Sequence, residues 1–271
     1  MDENYLKHIA RLIRQRPAAT PALKSYAGLA RIMTRAEPKR PKNGHLEIRR
    51  KEGLPLFSRQ DLPVDFGAAA SLLSEFFVYL SKTDREDQAG LAKAREQGEN
   101  DPRWIGSVFK AILEQDEKAL EVMAAQVGLD PRTLLFLGKT ALRPSFSALR
   151  CLMAEIVDKI PWEQGCCPLC GSQPDMAYFT KAGKRRLHCE LCGTQWTFAR
   201  IGCPFCNNEE PENLGYFEAE EEEGLRVYFC GSCHRYLKTI DSRVFEEVAP
   251  LELESLATLH LDLIAEQKGY K

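Results

Sequence analysis

The sequence predicts an α+β protein: an N-terminal all-helical domain, two tandem zinc-ribbon modules and a C-terminal helix. Three observations carry this reading. Apolar residues recur at helical spacing up to about residue 160. Four Cys-x-x-Cys pairs then fall between Cys167 and Cys233, holding eight of the ten cysteines of the 271-residue chain. The two halves of that stretch also repeat: Cys-Pro-Leu-Cys and the later Leu-Cys-Gly-Thr-Gln-Trp match Cys-Pro-Phe-Cys and the later Ser-Cys-His-Arg-Tyr, at a period of 36 to 41 residues. The expected boundaries are 1–160 for the helical domain, 161–200 and 201–248 for the two ribbons, and 249–271 for the last helix.

The cysteine pairs are Cys167/Cys170, Cys189/Cys192, Cys203/Cys206 and Cys230/Cys233, with eighteen residues between the first two pairs and twenty-three between the last two. This is close to the spacing of a four-thiolate site, in which both sulfurs of one knuckle reach a single ion and a hairpin returns the second knuckle to complete a tetrahedron. Two sites are expected. One is formed by Cys167, Cys170, Cys189 and Cys192, the other by Cys203, Cys206, Cys230 and Cys233; interleaved knuckles are the alternative. Each knuckle needs a residue that tolerates positive φ directly after its second cysteine, and Gly171, Gly193, Asn207 and His234 all qualify. Cys166 and Cys151 are expected to be spare, because only Cys167 has the two-residue spacing to Cys170. Disulfides are disfavoured, since Met1-Asp2-Glu3-Asn4 opens no charged-then-apolar signal segment and so points to a reducing compartment. A thioredoxin-like dithiol would occur once, beside a βαβ pattern not found in this chain.

The formal charge of −2 becomes about −6 once two divalent ions each sit among four thiolates, a poor start for binding nucleic acid. Asp65 and Glu75 interrupt the most apolar window, so no run approaches a membrane span. A soluble cytoplasmic protein is expected.

Along the chain, Pro17 and Pro21 separate two helices carrying Tyr5, Ile9, Leu12 and Ile13, then Leu23, Tyr26, Leu29, Ala30 and Met33. Residues 37–63, rich in Pro, Gly, Lys and Arg, read as an extended connection; its basic run Lys39, Arg40, Lys42, Arg49, Arg50 and Lys51 is expected to be solvated surface rather than a phosphate site. Asp65 caps a helix with Leu72, Leu73, Phe76, Phe77 and Leu80 on one face. Helices follow at 84–97, 102–115 and 116–127; Asp130 caps the next, and Pro144 is expected in the first turn of a further helix. Strands are expected at 176–179 and 186–188 around a basic tip, and at 214–217 and 225–229 around an acidic tip from Glu218 to Gly224. The last helix, 251–268, places His260 on a stripe with Leu253, Leu256, Leu263 and Ile264; this histidine, like His188 and His234, is expected to support the structure rather than ligate metal.

Several stretches resemble a known family: Trp162 to Gly171, the Leu187-His188-Cys189 and Cys192-to-Trp196 pair, Tyr236-Leu237-Lys238-Thr239-Ile240-Asp241, and Leu256-Ala257-Thr258-Leu259-His260-Leu261-Asp262. Together they resemble the formate dehydrogenase accessory (formation) proteins, the FdhE family. The resemblance covers residues 160–271, while the helical part agrees in character and 37–63 departs. It implies a cytoplasmic maturation factor with two rubredoxin-like modules, not itself an enzyme, that acts on the formate dehydrogenase catalytic subunit before export. It also implies iron or zinc in the two tetrahedral four-cysteine sites.

Two other classes compete with this expectation. A rubredoxin-like electron carrier would use the same sites but has no need of so large a helical domain. A zinc-ribbon nucleic-acid binder should present a basic face, and only the first ribbon tip, with Lys181, Lys184, Arg185 and Arg186, is basic. Neither nucleic-acid binding nor membrane insertion is expected, and the oligomeric state is left open.

Overall fold

The computed structural model describes residues 3–39, 53–218 and 222–271. Most of the basic run, from Arg40 to Lys51, lies outside the described residues, as do Ala219, Glu220 and Glu221 of the acidic tip. The described residues fall into two compact units, one of residue 3, residues 26–39 and Ser58–Leu152, the other of Asn4–Ser25 and the described residues of 53–57 and 153–271.

Several helices open where an aspartate side chain supplies the cap. Helix α1 (Glu3–Gln15) and α2 (Thr20–Met33) are separated by a short 3-10 turn at Pro17–Ala19. Pro21 falls in the first turn of α2, where its missing N–H would have no partner anyway. Helix α3 (Phe66–Leu80) opens at Asp65, whose carboxylate accepts from the Lys39 N–H at 2.9 Å and the Ala68 N–H at 3.0 Å. Those donors hold its pKa below the usual carboxylate range. Helices α4 (Gln88–Asn100), α5 (Pro102–Glu114) and α6 (Glu117–Val127) follow; Asp101 and Asp116 cap the last two, and Gly128 ends α6 at φ 73°. In this unit Leu73, Phe76 and Phe77 of α3 and Phe109 of α5 are fully buried, each large apolar side chain contributing about 1.5–3 kcal/mol.

Pro144 corrects the expectation of a helix start. It lies inside a single helix α7, Pro131–Lys159, of 29 residues, which Asp130 opens by accepting from the Arg132 N–H at 2.8 Å. An interior proline removes one i→i−4 bond. Leu142, Phe146, Leu149 and Met153, all buried on both sides of it, hold the helix together across the gap.

In the second unit the two ribbons form one six-stranded sheet. The strands are β1 (Pro174–Phe179), β2 (Arg185–Cys189), β3 (Gln195–Thr197), β4 (Leu214–Glu218), β5 (Leu225–Cys230) and β6 (Tyr236–Asp241), in the order β3-β2-β1-β6-β5-β4. Within each ribbon pairing is antiparallel; β1 and β6 join the ribbons in parallel, with Met176 opposite Lys238 and Phe179 opposite Asp241.

The expected C-terminal helix is two: α8 (Leu251–Ala257) and α9 (Leu259–Gln267). Thr258 breaks them, turning its hydroxyl onto the Glu254 carbonyl at 2.8 Å, a local bond that competes with helix continuation. The break resets the phase of the stripe. Leu261 and Ala265 are buried with Met176, Val227, Ile240 and Leu251, whereas Leu263 is 61% exposed and His260 meets Glu222 at 2.5 Å.

Charged pairs fasten this unit. Buried Lys238 of β6 donates to Asp262 Oδ2 of α9 and to the Ser255 carbonyl of α8, both at 2.8 Å, and the Tyr236 hydroxyl donates to Asp262 Oδ1 at 2.7 Å. Arg16 donates to buried Glu254 at 2.5 Å, and Arg11 pairs with Glu247.

Candidate metal centre

Each of the four knuckles closes in the same way. The N–H of Gly171, Gly193, Asn207 and His234 donates to the carbonyl of Cys167, Cys189, Cys203 and Cys230, at 2.8, 3.1, 3.0 and 2.9 Å. The N–H of each of those four cysteines in turn donates to the carbonyl five residues on, in Ser172, Thr194, Asn208 and Arg235. All four residues after the second cysteine have the expected positive φ: 74° and 71° for Gly171 and Gly193, 58° for Asn207 and 54° for His234. One loop geometry is therefore used four times, with glycine where it is free of cost and Asn or His where it is tolerated.

The knuckles bring the cysteines together in sequential pairs. Cys167, Cys170, Cys189 and Cys192 form one group and Cys203, Cys206, Cys230 and Cys233 the other, with all sulfurs of a group within 4.8 Å of one another. In the first group Cys167 and Cys192 are 3.6 Å apart, and Cys170 is 3.5 Å from both Cys189 and Cys192. In the second, Cys203–Cys233 is 3.6 Å and Cys206–Cys230 is 3.7 Å. A tetrahedron with metal–sulfur bonds of about 2.3 Å has edges of roughly 3.8 Å, so both groups could hold a metal ion.

The surroundings suit thiolate. The Leu191 and Cys192 N–H groups point at Cys189 Sγ at 3.4 and 3.5 Å; the Ser172 and Thr194 hydroxyls lie 3.2 Å from Cys170 Sγ and Cys192 Sγ. In the second group Asn208 Nδ2 reaches Cys230 Sγ at 3.9 Å. Burial pushes the Cys167 and Cys189 thiols well above their ordinary range. For Cys170 burial acts the same way, but hydrogen bonds from Cys167, Cys189, Cys192 and Ser172 outweigh it and bring the thiol well down. In the second group burial takes Cys203 to about 12; Cys230 is held at about 6, where the N–H groups of Cys233 and Ser232 overcome burial. Each group thus sets a lowered thiol beside raised ones, Cys170 beside Cys167 and Cys189, and Cys230 beside Cys203 and Cys233. A divalent cation supplies what the remaining thiols need in order to lose their protons.

The groups differ in exposure. All four cysteines of the first are buried, whereas Cys206 is exposed and Cys233 half-buried. Two supports had no sequence signal. The Leu56 and Phe57 N–H groups bond to the Pro168 and Leu169 carbonyls at 2.8 and 3.0 Å, so the end of the 37–63 connection braces the first knuckle, and Leu56 is buried. A Cβ on Gly165 would overlap the carbonyl of Pro204, bringing the lead-in of the first knuckle against the loop of the third. His188 bonds Asp175 through Nδ1 at 2.7 Å, and His234 stacks on Tyr270 at 6.4 Å between ring centroids. Neither belongs to a cysteine group.

Cys166 stands outside both groups with Sγ 3.5 Å from Gln164 Oε1, and Cys151 is exposed on α7. Replacing either by serine is expected to leave the metal content at two per chain by elemental analysis. A lower content in the Cys166→Ser protein would mean that the knuckle register is wrong.

A helical protein with paired four-cysteine ribbons, fused through one sheet, is the class that this architecture defines. Residues 166–200 match the family model "FdhE, central domain". "Protein FdhE homolog" of Aquifex aeolicus is 32% identical over 133 residues, 46% of this chain and 47% of that protein. The Enterobacter homolog is 32% identical over 176 residues, 59% of this chain and 55% of that protein. The matched region thus spans about half the length of these curated relatives. The crystal structure of the FdhE protein from Pseudomonas aeruginosa matches with a TM-score of 0.73 at 25% identity, over 98% of this chain and 91% of that one. The chain is FdhE-like: in sequence through its cysteine ribbons, and in fold along nearly its whole length.

Proposed function

We propose that this chain is a formate dehydrogenase formation protein: a cytoplasmic factor, not itself an enzyme, that binds the catalytic subunit of formate dehydrogenase before export and is needed for that subunit to become active. The observation that carries the reading is the fold likeness to the Pseudomonas FdhE protein, which extends through the helices as well as the two cysteine ribbons. Cys167, Cys170, Cys189 and Cys192 would hold one ion, and Cys203, Cys206, Cys230 and Cys233 the other, as iron or zinc; both metals accept tetrahedral thiolate. No helix among the described residues is long and apolar enough to cross a membrane.

Two of the five glutamates of the acidic tip have partners within this chain. Glu218 pairs with Arg226 at 2.6 Å and Glu222 with His260, so both carboxylates are already engaged. A strain lacking the protein is expected to contain the catalytic subunit by immunoblot yet oxidise little formate, and to recover with the intact gene but not with the Cys170→Ser form. Normal formate oxidation in that strain, with no second copy of the gene, would refute the assignment.

The electron-carrier reading draws on one feature, the exposed Cys206, which would leave an ion at the second site open to an electron partner. Protein purified without oxygen separates the two readings: reversible bleaching by a one-electron reductant shows only that iron is bound, whereas rapid electron transfer between the reduced protein and an added redox protein, at unchanged metal content, is expected only of the carrier.

A further inference from the structure

A pocket of about 240 Å³ opens beside the second cysteine group, and its walls are of two kinds. One is aromatic and aliphatic: Phe205, Tyr216, Tyr228 and Leu237. The other is lined by Arg185, Arg200 and Arg235. Arg185 is only 4% exposed, and burial lowers its pKa to about 10, which leaves it charged at neutral pH. Its Nη1 donates to the Gly202 carbonyl at 2.9 Å, while its Nε–H is buried with no acceptor. Arg235 lies over the Phe205 ring at 3.8 Å, and Arg200 over Phe179 at 5.6 Å. Among the described residues none of the three guanidinium groups forms an ion pair with a carboxylate, whereas nearby Arg226 and Arg243 both do.

Charge neutralisation by the adjacent cysteines accounts for only part of this. Four thiolates around a divalent ion carry −2, and three arginines carry +3, so the wall keeps a surplus of about one positive charge with the ion bound. Burying a charged group without a counter-charge is costly, and a guanidinium is shaped to take a carboxylate through two parallel bonds. Ile201 and Tyr216, 62% and 53% exposed, extend the apolar wall to the rim.

We propose that this pocket binds an acidic peptide segment of a partner protein, in which an apolar side chain seats among Phe205, Tyr216, Tyr228 and Leu237 while an adjoining carboxylate meets the arginines. The inference rests on the assembly reading for its biological setting, since the segment would belong to the chain being matured. The binding itself is a property of the pocket and is tested without formate dehydrogenase.

The full-length, metal-loaded protein is titrated with acetyl-Phe-Glu-amide and with its neutral counterpart acetyl-Phe-Gln-amide, by calorimetry or ligand-observed NMR. The acidic peptide is expected to bind about tenfold more tightly, the effect of one well-formed ion pair. Arg185→Gln removes the bond to the Gly202 carbonyl, so Arg235→Gln and Arg200→Gln are the informative variants; each should cut the preference severalfold at unchanged metal content. Equal binding of the two peptides, no saturation at millimolar concentration, displacement by an equal concentration of inorganic phosphate, or an unchanged preference in both variants would each overturn the proposal. None of those results would bear on the strain experiment, and an unaffected deletion strain would not remove a measured peptide preference.

Discussion

Replacing Cys170 by serine is expected to take the protein from two metals to one and to unfold the first ribbon. Cys170 is 1% exposed and sits 3.5 Å from two other sulfurs of its group, and hydrogen bonds from its neighbours lower its pKa. Serine offers a hard, protonated oxygen in place of a soft thiolate. Filling a structural four-ligand site contributes on the order of 10 kcal/mol, as much as the whole stability of an ordinary domain, so the fold of this ribbon and its ion are lost together. Elemental analysis combined with circular dichroism and thermal melting reads both losses. Retention of two metals would show that the sulfurs meeting in this group are not the ligands.

The second large effect is expected from Lys238→Met. Its ammonium group bridges Asp262 on α9 and the Ser255 carbonyl on α8 from the middle strand β6, and it is 4% exposed. Removing one partner of a buried ion pair costs 3–5 kcal/mol; with the Asp262 side chain 25% exposed to water, about 2–3 kcal/mol is expected in urea unfolding at fixed metal content. Changing both partners, Lys238→Met with Asp262→Leu, should restore at least half of the loss, because no unpaired charge is left behind. A single variant as stable as the parent would remove this pair from the account of what joins the helices to the sheet.

The cysteine groups were legible because their geometry is local. A knuckle is six residues long, and the left-handed position after its second cysteine selects Gly, Asn or His within that window, so all four positions could be read from Gly171, Gly193, Asn207 and His234. What escaped was non-local. Nothing in the alternation of Met176-Ala177-Tyr178-Phe179 says that its free side pairs with a strand 62 residues further on, as Met176 does with Lys238. Pro144 read as a helix start because the local rule for proline is strong, but the buried residues around it decide the outcome. The stretches around Lys238 and Asp262 were recognisable separately, yet only the structure shows that they are the two ends of one ion pair. The arginine wall of the pocket collects residues from distant parts of both ribbons, and side chains brought together by topology leave no spacing pattern to read.

The parallel pairing of β1 with β6 also sets an order in time. As the chain leaves the ribosome, all four cysteines of the first group have emerged by Cys192, so that group can close while the second is still being made. Strand β1 nevertheless presents one bare edge until Tyr236–Asp241 arrives to cover it. Throughout that interval the nascent protein displays an unpaired, largely buried-type strand, the feature that invites pairing with the wrong chain. A released chain that ends between residues 198 and 235 should therefore have its first group closed and a tendency to aggregate, which chains extended past Asp241 lose.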